Sequence, residues 1–186
     1  MEVFDSISDE LAGFLEAQPV FFVASAPLAA DGHVNLSPKG LDTLRVVDPR
    51  TVAYLDLTGS GNETSAHLAE NGRMTLMACS FGQKALILRL YGRGRTVLPG
   101  DEGFEALRER FGDFAGVRQV IVLDVDRVQT SCGYAVPRME GMRERETLSK
   151  WAERKGEDGI AEYQRAHNTR SIDGLEAPLA RPRTRG

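Results

Sequence analysis

The feature that most constrains this chain is its punctuation. Short apolar, partly β-branched runs end every few residues at glycine, proline or an Asn/Asp-containing turn, which leaves no room for a long helical bundle before Pro137. Val20 to Ala26 (VFFVASA) is one such run, and Asp31-Gly32 supplies a turn before His33 to Ser37. Leu44 to Val47 and Thr51 to Leu57 flank Asp48-Pro49-Arg50. Strand signals resume at Met74 to Phe81 and Ala85 to Leu98, where Gly92 and Gly94 mark a bulge or sharp bend. Val117 to Thr130 (VRQVIVLDVDRVQT) alternates apolar and polar residues, as a strand with one buried face does. Six or seven antiparallel strands follow, and a closed or nearly closed β-barrel is the arrangement that removes their edges.

Helices are tucked between these strands. Ile7, Leu11, Phe14 and Leu15 recur at helical spacing from Ser8 to Gln18, with Ser6 or Ser8 as N-cap and Pro19 as terminator. Glu63 to Asn71 is closed by Gly72, and Gly103 to Phe111 is a third helix. Charge-rich helices are expected at Glu140 to Lys155 and Asp158 to His167, separated by Gly156. Residues 1–137 thus read as the barrel with its inserted helices, 138–176 as a helical extension of the same domain, and 177–186 as a wandering tail.

At 186 residues one domain is expected. Apolar residues at 41% and charged residues at 27% fit a folded globular chain and exclude the disordered, collagenous and membrane classes. No apolar run approaches the ~18 residues of a membrane span, and Glu2 and Asp5 open the chain without a basic leader, so a cytoplasmic protein is expected. Cys79 and Cys132 are too few for a disulfide scaffold and lack zinc-site spacing. A net charge of −4 argues against nucleic acid as a partner. Nineteen of the 23 cations are Arg, whose planar fork suits small phosphates or carboxylates, although genome composition also enriches Arg.

Three constellations could carry chemistry. Thr58-Gly59-Ser60-Gly61-Asn62-Glu63-Thr64 joins a strand to a helix, and free N–H groups at a helix start, beside glycines, form a ready phosphate site with Ser60 and Thr64 as hydroxyl donors. The same letters describe an ordinary cap, with Ser60 or Asn62 capping and Glu63 complementing the dipole. Asn35-Leu36-Ser37-Pro38-Lys39-Gly40 should break its ladder at Pro38 and expose Ser37 and Lys39. Thr130-Ser131-Cys132-Gly133-Tyr134 contains a cysteine with no nearby His, which reads as packing rather than a nucleophile. Glu63 and His67 stand at i and i+4 without an obvious third metal ligand, so no metal site is expected. His33 and His167 are uninformative, and Trp151, at helical spacing from Leu148, reads as core or interface.

Together, the segments His33 to Met77, Leu88 to Arg95 (LRLYGRGR), Ser131 to Pro137 (SCGYAVP) and Asn168 to Leu175 (NTRSIDGL) resemble the pyridoxamine 5′-phosphate oxidase-like family. The resemblance implies an antiparallel six- to seven-stranded split β-barrel with helices (α+β) that binds FMN across a homodimer interface. It places Asn35, Ser37 and Lys39 on the strand facing the flavin, Thr58, Ser60, Asn62 and Thr64 on the phosphate loop, and Arg89, Ser131 and Tyr134 toward the cofactor, the last two from the partner subunit. Glu63 departs from the family pattern, where basic residues open this helix. Unless its carboxylate turns away, Arg89, Arg73 or Lys39 must compensate. The implied activity is flavin-dependent electron or hydride transfer to a small organic substrate, with the catalytic residues unknown. The alternative is a non-catalytic carrier of FMN, haem or F420.

Overall fold

The computed structural model describes residues 1–181, so the end of the expected tail, 182–186, lies outside the described residues. Eight strands, β1 (Glu2–Phe4), β2 (Val20–Ser25), β3 (Asn35–Gly40), β4 (Leu44–Asp48), β5 (Thr51–Leu57), β6 (Arg73–Cys79), β7 (Ile87–Val97) and β8 (Val117–Ser131), share one sheet. Seven run in the order β3-β2-β6-β7-β8-β5-β4, every pair antiparallel, and β1 adds to β8. The sheet's two ends, β3 and β4, are consecutive in the chain and joined through Leu41–Thr43, so the sheet curls into a split barrel whose open seam lies between them. β1 escapes sequence reading because its three residues are all exposed and carry no pattern.

The barrel interior is apolar. Phe21, Val23, Leu76, Leu88, Leu90, Ile121, Leu123 and Val128 are at most 2% exposed, and each such leucine contributes about 1.5–3 kcal/mol by leaving water. Helix α1 (Asp9–Glu16) plugs one end with Leu11 and Leu15, and Ser8 caps it by accepting from Leu11 N at 3.3 Å. Helix α2 (Glu63–Asn71) ends at Gly72, whose φ of 70° lets its N–H reach Leu68 O. A second cluster, Phe104 and Phe111 against Val97 and Val122, seats helix α3 (Phe104–Arg108).

Three local expectations are corrected. Pro38 does not break its ladder: β3 runs through it to Gly40, because β3 is an edge strand where a missing N–H leaves no partner unpaired. Helix α4 spans Thr147–His167 and starts seven residues later than Glu140. It is interrupted at Gly156, whose φ of 64° and ψ of 175° let its two halves take separate courses. In the tail region, Ala177 is buried and Pro178–Ala180 forms a 3₁₀ turn. Among the described residues no helix is long and apolar enough to cross a membrane.

Candidate functional site

Polar side chains collect beside the seam, on β3 and on β5, the neighbour of β4. Antiparallel register sets Asn35, Ser37 and Lys39 opposite Ser25, Val23 and Phe21, so all three point toward the barrel interior. Asn35 Nδ2 donates to Thr64 Oγ1 at 3.0 Å, and Ser37 Oγ donates to Asn35 Oδ1 at 2.9 Å. Ser25 Oγ meets His67 Nδ1 at 3.0 Å, which makes His67 a buried tie between β2 and α2; burial holds its imidazole below the ordinary range.

Deeper in the seam lies a buried carboxylate that sequence reading did not single out. Asp56 is 2% exposed and accepts from Lys39 Nζ (2.7 Å), Arg118 Nη2 (2.7 Å), Arg118 Nε (3.1 Å) and Gln119 Nε2 (2.7 Å). Burial pushes its pKa up, but the charges of Arg118 and Lys39 outweigh that and hold the carboxyl well below the usual carboxylate range. Two cations face one anion, so the cluster carries one net positive charge. Lys39 is its more exposed member, and it projects at the mouth of the seam. The signal was present in the sequence: an Asp in the apolar run TVAYLDL must find a partner or it cannot be buried.

The start of α2 departs from a capped helix. Asn62 occupies the N-cap position, yet its side chain makes no capping bond. It donates to Asn168 O at 2.9 Å and accepts from Gln119 Nε2 at 2.8 Å. The backbone N–H groups of Glu63, Thr64 and Ser65 therefore find no acceptor among the described residues. Arg118 Nη1 donates to Gly61 O at 2.7 Å, bringing its charge beside the same turn. Ser60 is exposed; Thr58 is buried, donating to Gly116 O and accepting from Gln164. Gln119 Oε1 and Asn168 Oδ1 remain buried without donors.

Glu63 does not turn away from this turn: a Cβ on Gly61 would lie 3.2 Å from its Oε1, so the carboxylate curls back over the glycine. Its Oε2 accepts from Ile172 N at 2.9 Å, and none of Arg89, Arg73 and Lys39 pairs with it: Arg89 donates to Ser131, Arg73 to Asn71 and Pro27, Lys39 to Asp56. The expected cationic compensation is thus replaced by a backbone donor from the segment Asn168–Leu175, which closes over α2. Asp173 extends this strap to His33, accepting from its N at 2.8 Å and pairing with its Nδ1 at 2.6 Å. That hydrogen bond, with the carboxylate's charge, raises the His33 pKa, so the latch is fully present below about pH 6.5 and is lost as pH rises through the raised value. In an NMR titration, Asp173→Asn should return His33 to its ordinary midpoint; an unmoved midpoint would remove the latch.

Arg89, Ser131 and Tyr134 stand apart. Arg89 lies opposite Met77 on the outer face, Arg89 Nη1 donates to Ser131 Oγ at 3.0 Å, and Tyr134 is 86% exposed. Cys132 is exposed, so it does not serve packing, while Cys79 is the buried one. Trp151 is not in the core: it is half-buried on a cavity wall, edge-on to Tyr163 at 5.1 Å.

That cavity, about 890 Å³, opens at the seam. Lys39, Leu41, Leu57, Thr58 and Gly59 form one wall, and the segment from Met142 to Arg154 forms the other. Leu41 is the only non-glycine described residue with positive φ (62°), in the turn that Thr43 pins through Gly40 O.

Fold and site together define a class, the antiparallel split barrel with a charged polar seam beside an uncapped helix start, a setting that suits an anion. Comparison names the family within it: a pyridoxamine 5′-phosphate oxidase model matches residues 7–132, and the chain belongs to that family. It is 40% identical, over 98% of its length and 80% of the relative's, to the pyridoxamine 5′-phosphate oxidase family protein ustO of Aspergillus flavus. Its fold resembles a Lactobacillus delbrueckii protein assigned as a pyridoxamine 5′-phosphate oxidase (TM-score 0.53, 17% identity, 69% of this chain and 99% of that one). It also resembles HupZ of Group A Streptococcus (TM-score 0.51, 19% identity, 72% and 98%).

Proposed function

We propose that this chain binds FMN and serves as an oxidoreductase, moving electrons or hydride between a reduced donor and a small organic acceptor. The observation that carries the reading is the withheld cap: Asn62 is spent on Gln119 and Asn168, which leaves three N–H groups of α2 without acceptors among the described residues, after a glycine-flanked turn. These donors, with the Ser60 hydroxyl, suit a terminal phosphate. When bound, the flavin ring supplies the redox chemistry, so no acid–base triad is required of the protein. Lys39, fixed by Asp56, holds positive charge at the cavity mouth, while Asn35 and Ser37 keep their strand locked to α2.

A homodimer completes this reading. The outer face of the same sheet exposes Leu36 (65%) and Val34 (74%) beside Phe22 and Met77, and a second copy laid on it would bring its Arg89, Ser131 and Tyr134 near the first copy's seam.

The test is to denature the purified protein and identify what is released, then to titrate FMN by calorimetry. Flavin absorbance and a saturable heat support the proposal. A colourless protein that gives no heat with FMN overturns it, and a haem or deazaflavin spectrum replaces the cofactor. Reduction of the bound flavin by NADH or NADPH separates an enzyme from a carrier. Lys39→Ala should weaken FMN retention about tenfold, the loss of one charge-assisted contact; unchanged affinity would take Lys39 out of the site.

A further inference from the structure

The two walls of the seam cavity have different origins. The wall built from the ends of β3 and β5 falls inside residues 7–132, which the family model matches. The opposite wall, Met142 to Arg145 and Thr147, Leu148, Trp151 and Arg154, comes entirely from beyond it. This second wall therefore lies outside the part of the chain that the family model describes, within the 98% of the chain that aligns with the Aspergillus flavus relative. It is held against the barrel by close packing: a Cβ on Gly116, whose φ is 73°, would lie 2.9 Å from Ala152 Cβ, so Ala152 seats directly on the backbone and is 3% exposed.

The chemistry of the lining is divided. Pro19, Val20, Leu55, Leu57, Leu148 and Trp151 give an apolar body. Lys39, Arg143, Arg145 and Arg154 give four cations against one acid, Glu144. Among the described residues none of the three arginines has a carboxylate within ion-pair distance, and Arg154 engages only Lys150 O, through Nε at 3.1 Å. Unpaired guanidiniums around an apolar chamber match a molecule with an apolar body and an oxyanion head.

We infer that the C-terminal extension forms a recognition site for an apolar organic oxyanion, with Arg143, Arg145 and Arg154 grasping the head and Trp151 and Leu148 covering the body. That this molecule is the substrate rests on the flavin reading; its binding does not. Arg143, Arg145 and Arg154 are then specificity residues.

Trp151 is the chain's single tryptophan, so its emission reports on this wall alone. The purified protein is titrated with phenylacetate and phenyl phosphate, with neutral 2-phenylethanol and inorganic phosphate as comparisons. A saturable change in emission with either aromatic anion, weaker by about tenfold or more for the alcohol and for inorganic phosphate, supports the site. Whichever anion binds more tightly identifies the head group as carboxylate or phosphate. Arg145→Gln and Arg154→Gln, both at exposed positions, should raise the apparent Kd about tenfold with an unchanged circular-dichroism spectrum. Equal response to the alcohol, absence of saturation, or variants that bind like the parent would overturn the inference. A protein that binds these anions but no flavin refutes the proposed function and keeps this site; one that holds flavin and ignores the anions does the reverse.

Discussion

Asp56→Asn is expected to destabilise the protein by about 3–5 kcal/mol, because it removes the only anion between two seam cations and leaves Arg118, 3% exposed, buried with its charge unmatched. For a chain of this size that is a fall in melting temperature of roughly 6–20 °C, measurable by calorimetry. The pH dependence gives a second readout. The folded carboxyl titrates below its unfolded value, so its contribution is complete above about pH 4 and is lost as pH falls from there toward the folded value. Denaturant midpoints followed downward from neutral pH should decline in the parent and decline less in the variant. Parallel curves would show that the cluster is not what acid dissolves. Because Asp56 also fixes Lys39, the variant should lose order at the cavity mouth even where it remains folded.

Gly92→Ala is expected to be at least as damaging, for a reason that involves no charge. The register of β7 on β8 shifts between Tyr91 and Gly92, and a Cβ at Gly92 would stand 2.0 Å from Asp124 O and 2.9 Å from Asp124 C. Those atoms belong to the backbone of β8, which is buried in the middle of the sheet and cannot step aside. A loss of more than about 3 kcal/mol is expected, the scale of a severe steric mechanism. Gly94→Ala provides the comparison. Its Cβ would meet Leu68 Cδ2 at 2.8 Å and Met74 Sδ at 2.9 Å, the mobile ends of flexible side chains, so about 1–2 kcal/mol is expected. Urea unfolding of the pair decides the matter: similar midpoints would mean that β7 and β8 can slide past each other at the bulge.

Glycine's role here was readable in advance as a bend in a long strand, but not its severity, which depends on which strand lies opposite. The same division runs through the site. The helix start after Thr58 and its glycines could be located from spacing, whereas Ser37 and Lys39, expected to be exposed, are half-buried and face inward on β3. What could not be read was that Asn62 turns its amide to Gln119, 57 residues on, and to Asn168, 106 residues on, rather than capping its own helix.

Periodicity and turn chemistry act over a few residues, so the sequence by itself determined the succession of strands, the placement of α2 from Glu63 to Asn71, and the family to which they belong. Tertiary structure alone decided the pairing of Asp56 with Arg118, the bond from Ile172 N to Glu63, and the wall that the extension raises against the barrel. Each of these joins groups some 60 to 110 residues apart in the chain, where only the curl of the sheet and the cost of burying an unpaired charge select one partner over another.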